Sequence, residues 1–244
     1  MHSKKILNAV VKDRADGTFC DLDIVCDGVR FQAHRVIVCS QSPIIRAACA
    51  GPWKEATSGT FEIKESSPVL IKRMLDFMYS GCYDQGSSGN AVEEDKRLSE
   101  ELGQLGTACP MVLHARMMAL ADMYMVDGLG RVALEQVKKL VQQATTSYLL
   151  TDCIPEIYAL TFGSCRSIRQ TLIDSVRERT SQLPLDPDIK GRLDDVMQIV
   201  PEFTRELLKS CLYAPLLGHC DRCGRDKTVP VVPLQCNAEH AAGA

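Results

Sequence analysis

The stretch from residue 21 to 83 constrains the fold of this chain more than any other part of the sequence. A β-rich run at 21–26 is followed by Asp27-Gly28 and by a second β-rich run at 29–35. An Asp-Gly pair between two such runs is typical of a tight β-hairpin. In the first run Leu22, Ile24 and Cys26 alternate with Asp23 and Val25, which predicts a sheet with one buried face.

Two helices with the same kind of start follow this hairpin. Ser42-Pro43 and Ser67-Pro68 each place a serine at the capping position and a proline at the first helical position. A short β-rich run at 60–63 lies between the two helices. The predicted order is strand, turn, strand, a helix pair that includes the helix opened by Ser42-Pro43, strand, and the helix opened by Ser67-Pro68.

In chain order, these elements carry Asp21, Phe31, His34-Arg35 and the closing segment Met78-Tyr79-Ser80-Gly81. With these residues in this order of elements, the segment resembles the BTB/POZ domain, a protein-interaction module without catalytic machinery. The resemblance covers roughly residues 18–144. It implies an α+β fold in which a small sheet is flanked by a helical cluster.

The rest of the chain divides around that domain. We expect a helical lead-in at 1–17, a BTB/POZ domain at 18–144, an all-α extension at 145–212 and a short Cys-rich tail at 213–244. Residues 84–109 carry six acidic and two basic residues, a balance of −4, and we expect a mobile acidic insertion with a short helix near its end. The extension resembles those found behind BTB domains, especially in proteins of filamentous fungi.

Composition excludes several classes of function. The net charge is −3, which does not favour a general binder of nucleic acid or of anionic membranes. No apolar run reaches the roughly 18 residues that a membrane span needs. The sequence contains no phosphate loop, nucleotide fingerprint or nucleophile elbow. We therefore expect a protein of the nucleus or cytoplasm that is not an enzyme and has no catalytic residues.

The resemblance assigns a role to one charged pair. In BTB domains the acid that opens the first core strand faces the base after the histidine, which implies a partly buried charged pocket of Asp21 and Arg35. Two interpretations stay open, a structural pair or a pocket that recognises a partner. His34 is expected to be a hydrogen-bonded core histidine.

Trp53-Lys54-Glu55 fits the hydrophobic-x-Glu pattern of BTB domains that bind cullin-3. In that mode the bulky residue enters a pocket on the cullin and the acid meets a polar rim, so Trp53 and Glu55 are candidate partner-binding residues. Tryptophan is also enriched at binding hot spots. In the alternative interpretation, Trp53 covers the edge of the domain's own core.

The resemblance also implies a homodimer. Ile6, Leu7 and Val10 lie at helical spacing before the domain and are the candidate interface. The predicted helix is about ten residues long, which is marginal for an isolated helix and shorter than the N-terminal helix on which BTB dimers usually rely.

Four residues near the C-terminus have the spacing of a structural zinc site. Cys220, Cys223, Cys236 and His240 form the pattern C-x2-C-x12-C-x3-H, a complete tetrahedral set for one Zn²⁺. His219 is an alternative fourth ligand. A thiol-bearing tail without metal and a redox pair are the other interpretations. Eight other cysteines, from Cys20 to Cys165, are scattered singly, as expected of reduced thiols.

Together these features predict a non-enzymatic interaction module. The most specific prediction is a substrate adaptor for a cullin-3 ubiquitin ligase, with an unknown protein substrate. The alternative is a BTB-type transcription or chromatin regulator or scaffold with a zinc-binding tail, whose partner is a corepressor. We do not expect nucleic-acid binding, because no tandem zinc fingers or basic region are present.

Overall fold

A computed structural model describes most of the chain. The described residues are 2–64, 66–83, 99–160, 163–180, 186–213, 217–220 and 224–230. They fall into two compact units, Met1–Val137 with Phe162–Cys165 and Lys138–Thr161 with Arg166–Ala244. Among the described residues, no helix combines the length and apolarity that crossing a membrane requires.

The first unit combines three strands with a cluster of helices, as the α+β prediction requires. In chain order its elements are α1 His2–Ala15, β1 Leu22–Cys26, β2 Val29–Ala33, α2 Arg35–Gln41, α3 Pro43–Ala50, α4 Lys54–Ser58, β3 Thr60–Ile63, α5 Pro68–Ser80, α6 at 99–104, α7 Pro110–Tyr124 and the start of α8 Leu129–Gln143.

The sheet has the strand order β2-β1-β3. Strand β1 pairs antiparallel with β2, so that Leu22 lies opposite Ala33, and parallel with β3. Asp27 and Gly28 have φ angles of 47° and 76°. A two-residue hairpin turn with positive φ at both positions matches the twist of the strands it joins. The predicted hairpin is confirmed.

The core lies between one face of the sheet and the long helices. The side chains along β1 alternate between buried and half-buried positions. Ile71, Met74 and Leu75 of α5 and Met117 of α7 have no exposed surface. Burying each such side chain contributes about 1.5–3 kcal/mol, so these helix faces hold the sheet in place.

Ser42 is a structural anchor as well as a cap. Its hydroxyl accepts a hydrogen bond from the backbone N–H of Ile45 and donates one to the carbonyl of Tyr124 at 2.6 Å. The first bond caps α3, and the second joins the start of α3 to the end of α7. Ser67 occupies the corresponding position before α5, but its side chain makes no capping bond.

The short helix predicted near the end of the 84–109 segment is confirmed, and the mobility of the segment stays a prediction. Residues 99–104 form α6, and Leu102, Leu105 and Cys109 are buried. Leu102 and Leu105 belong to the same buried apolar cluster as the core side chains of α5 and α7. Residues 84–98 lie outside the described residues.

The second unit is helical, as predicted for the extension. Its elements are the end of α8, α9 Thr146–Tyr148, a π-helical turn Leu149–Cys153, α10 Ile154–Ala159, α11 Arg166–Thr180, α12 Pro187–Ile199, α13 Pro201–Tyr213 and the antiparallel pair β4 Leu217–Cys220 and β5 Gly224–Pro230. The π-helical turn was not predicted. It precedes Pro155, whose missing N–H cannot donate to the preceding turn of a regular helix.

Candidate interaction surfaces

The corner before α4 exposes the only tryptophan of the chain. Trp53 caps α4 with an extended backbone, and 63% of its surface is accessible. Glu55 follows in the first turn of α4 and is half-buried. The interpretation that Trp53 covers the core is wrong, since a covering side chain would itself be largely buried. Whether a partner contacts Trp53 and Glu55 stays a prediction.

Gly51 sets the position of the indole. A Cβ atom on this residue would lie 2.7 Å from Cδ1 of Trp53 and 2.7 Å from the carbonyl oxygen of Ala47. Any larger residue would displace either the ring or the backbone of α3. The indole is therefore held against the end of α3 while its outer surface faces solvent.

Asp21 and Arg35 meet, but not as the charged pair that was expected. The Asp21 carboxylate accepts a hydrogen bond from the backbone N–H of Arg35, with 2.6 Å between N and Oδ1. Within the described part of the chain, no ion pair joins the two side chains. Arg35 is the first residue of α2, so its N–H has no partner inside the helix and needs an outside acceptor.

The Arg35 guanidinium points elsewhere. Its Nη1 donates to the carbonyl of Cys49 at 3.3 Å, whereas its Nε is buried and has no hydrogen-bond partner among the described residues. Asp21 is exposed. The expected charged pocket is thus corrected to a helix cap beside a separately held arginine.

His34 is fixed by a network that sequence reasoning only half predicted. Its backbone N–H and its Nδ1 both lie within 2.8 Å of the Tyr79 hydroxyl, and its Nε2 lies 3.0 Å from the carbonyl of Thr18. Because a carbonyl can only accept, Nε2 carries the proton and Nδ1 accepts from Tyr79. The prediction of a hydrogen-bonded core histidine is confirmed, and Tyr79 is its unpredicted partner.

Tyr79 also connects this network to α1. The Arg14 guanidinium lies 4.8 Å from the centre of the Tyr79 ring, and its Nη1 is 3.0 Å from Oδ1 of Asp76. Burial raises the pKa of the Tyr79 hydroxyl, which keeps it neutral and able to donate to His34. The end of α1 is therefore joined to α5 by a cation, a carboxylate and an aromatic ring.

Helix α1 exposes part of the predicted dimer interface. It is 14 residues long, longer than the sequence suggested. Ile6 and Leu7 are exposed, together with Val11. Val10 is only partly exposed and packs against the domain's own core, so it does not belong to the free apolar surface. The stripe available to a second copy is Ile6, Leu7 and Val11.

Most of the predicted zinc ligands lie outside the described residues. These are Cys223, Cys236 and His240. Cys220 ends β4 opposite Gly224 of β5, where the pairing register shifts. Within the described parts of the chain, no three potential ligands lie close enough together to hold a metal. The zinc site stays a prediction.

Residues 11–94 match the family model described as the BTB/POZ domain. Kelch-like protein 21 of Homo sapiens is 25% identical over 180 residues, which cover 64% of this chain and 30% of that protein. The same protein of Rattus norvegicus gives the same values. Kelch-like protein 2 of Homo sapiens is 28% identical over 79 residues, or 32% of this chain and 13% of that protein. The chain thus spans less than a third of the length of these curated relatives.

Two solved structures are also similar. The BTB domain of zebrafish PATZ1 covers 59% of this chain and 93% of its own, with 17% identity and a TM-score of 0.38. The BTB domain of human gigaxonin covers 55% of this chain and 90% of its own, with 19% identity and a TM-score of 0.36. The family-model match over residues 11–94, on a hairpin and helix order that the structure bears out, shows that this chain contains a BTB/POZ domain.

Proposed function

We propose that this protein is a non-enzymatic interaction module and that it acts as a substrate adaptor of a cullin-3 ubiquitin ligase. The observation that carries the proposal is the exposure of Trp53 beside Glu55 in the hydrophobic-x-Glu pattern. The BTB/POZ domain would bind the cullin, and the helical extension would be presented to an unknown protein substrate.

The indole is suited to act as an anchor. It offers a large apolar surface to a partner, and its contact with Gly51 limits its motion before binding. A side chain that is already held in place loses less conformational entropy on association. Tryptophans that act as binding hot spots cost about 2 kcal/mol or more when truncated to alanine.

The test is direct binding of the purified full chain to the N-terminal domain of cullin-3. We expect a Kd in the micromolar range or tighter. Trp53→Ala with Glu55→Ala should weaken binding about 30-fold or more, as a loss of about 2 kcal/mol requires. Tyr213→Ala is the matched control, because Tyr213 is an exposed aromatic residue of the other unit. Absence of binding by the wild-type chain would refute the adaptor function.

We also propose a homodimer that uses the exposed stripe of α1. Ile6→Glu with Leu7→Glu adds two negative charges to this stripe and should convert a dimer to a monomer in light scattering. Lys12→Glu changes the charge by the same amount on the same helix, at an exposed polar position, and should leave the mass unchanged. A wild-type monomer at high micromolar concentration would refute the dimer.

The second candidate function is a BTB-type regulator or scaffold in which a zinc ion organises the tail. Three thiolates and one imidazole are a donor set that suits tetrahedral Zn²⁺, and Cys220 closes a strand whose partner begins at Gly224. The proposed ligands are Cys220, Cys223, Cys236 and His240. Metal analysis should find one zinc per chain, lost in Cys220→Ser but kept in Cys211→Ser. A protein without zinc would refute this site.

A further inference from the structure

The second unit contains an open groove between the π-helical turn and α12. Its volume is about 550 Å³. Leu150 and Val196 form a buried apolar floor, Pro155 and the exposed Ile199 extend the apolar surface, and Asp188 and Asp195 add carboxylates. The groove thus combines an apolar floor with acidic groups, and it is large enough for one or two side chains of a partner.

Gly191 is unusual at its place in this groove. It lies inside α12, where glycine is less favourable than alanine because it loses more conformational freedom on folding. A Cβ atom on Gly191 would meet no atom within 4 Å, so packing among the described residues does not require a glycine. A close approach by another chain would explain it, since a missing side chain lets a second backbone come near.

The charges of the groove favour a cationic partner. Arg192 donates to Asp188 at 2.7 Å and is also within electrostatic reach of Asp152 and Asp195. Among the residues that line the groove, two carboxylates, Asp188 and Asp195, accompany one guanidinium, Arg192, which leaves an excess of one negative charge. An incoming lysine or arginine would balance that excess, whereas an acidic segment would be repelled.

We propose that this groove binds a basic segment of a partner protein. An apolar side chain of the segment lies over Leu150 and Val196, its backbone passes close to Gly191, and its cationic side chains face Asp188 and Asp195. The inference rests on the proposed function only in that the helical extension recognises partners. The groove is the place of that recognition, and its apolar floor and carboxylates supply the chemistry.

Phage display tests whether the groove binds a basic segment. A library of random peptides of about twelve residues is selected for binding to the full chain. The wild-type protein is the target, and Gly191→Tyr, whose side chain fills the groove, is the counter-target. Enriched peptides should carry an apolar residue flanked by lysine or arginine. Synthetic copies should bind Gly191→Ala like wild type and Gly191→Tyr about tenfold more weakly or worse.

Three further measurements make the outcome decisive. Asp188→Asn with Asp195→Asn changes two exposed side chains, and it should weaken binding and reduce its salt dependence. An empty selection, or peptides that bind Gly191→Tyr as well as Gly191→Ala, would overturn the proposal. So would a change of molecular mass in Gly191→Tyr, because the occupant would then be a second copy. Trp53→Ala should leave peptide binding intact, which separates this site from the cullin-3 proposal.

Discussion

Neutralising Glu101 should destabilise the first unit strongly, because this residue balances a buried cation. Arg73 is 4% exposed. Its Nε and Nη2 contact Oε2 of Glu101 at 2.8 and 2.5 Å, and its Nη1 donates to the carbonyl of Tyr83 at 3.1 Å. Breaking a buried pair by removing one partner costs about 3–5 kcal/mol. The Glu101 side chain is 13% exposed, so we expect about 3 kcal/mol for Glu101→Gln.

Urea denaturation measures this effect. Trp53 is the only tryptophan and lies in the first unit, so its fluorescence follows the unfolding of that unit. With a urea dependence of about 2 kcal/mol per molar, the midpoint should fall by about 1.5 M. Glu100→Gln removes the same charge from the exposed neighbouring residue, and it should change stability by less than about 0.5 kcal/mol.

A double-mutant cycle separates the pair from its surroundings. Arg73→Met should destabilise on its own, because it leaves the Glu101 carboxylate without its guanidinium. Arg73→Met combined with Glu101→Gln should be closer to wild type than the sum of the two losses, since both single changes break the same contact. Equal midpoints for Glu101→Gln and Glu100→Gln would refute the reasoning and show that the ion pair does not hold α6.

Tyr158→Phe should cost the second unit about 2 kcal/mol in thermal unfolding, because the hydroxyl donates to the Glu206 carboxylate at 2.6 Å; an unchanged melting temperature would contradict this. Asp21→Ala should cost about 1 kcal/mol in urea denaturation, and Asp21→Asn, which keeps the acceptor for the N–H of Arg35, should cost little; equal losses would argue for an ion pair instead. Burial raises the pKa of the Cys49 thiol to about 11. Unfolded thiols ionise near pH 9, whereas the folded Cys49 thiol is still protonated there. The stabilisation of the folded state by the protonated Cys49 thiol is therefore full below about pH 9 and is lost as the pH rises towards 11. Cys49→Ala should flatten that part of the pH profile.

The local parts of the fold could be predicted from the sequence because local chemistry determines them. Asp27 and Gly28 tolerate the positive φ angles that a two-residue hairpin turn needs. Ser42 followed by Pro43 sets the start of α3 through one capping bond and a fixed φ. In both cases the decisive groups are within four residues of each other.

Contacts between distant residues were less predictable. Arg73 and Glu101 are 28 residues apart, and nothing in an acidic, glycine-containing stretch indicates that one of its carboxylates will meet a buried arginine. Asp21 was correctly predicted to contact Arg35, but the predicted contact was with the guanidinium, whereas the observed contact is with the backbone N–H. A pattern of residue types locates Asp21 near Arg35, whereas only the backbone geometry decides whether a side chain or an N–H receives the carboxylate.

Interaction surfaces depend on which apolar side chains the fold leaves uncovered, and periodicity alone does not determine that. Leu7 and Val10 lie three residues apart on α1, yet Val10 packs against the core and Leu7 remains exposed. The difference arises because α1 packs against α5 and β2, elements far from it in sequence. Gly191 shows the complementary case. Its sequence signal, a glycine inside a helical pattern, is visible without a structure, but only the open space around it turns that signal into a binding proposal.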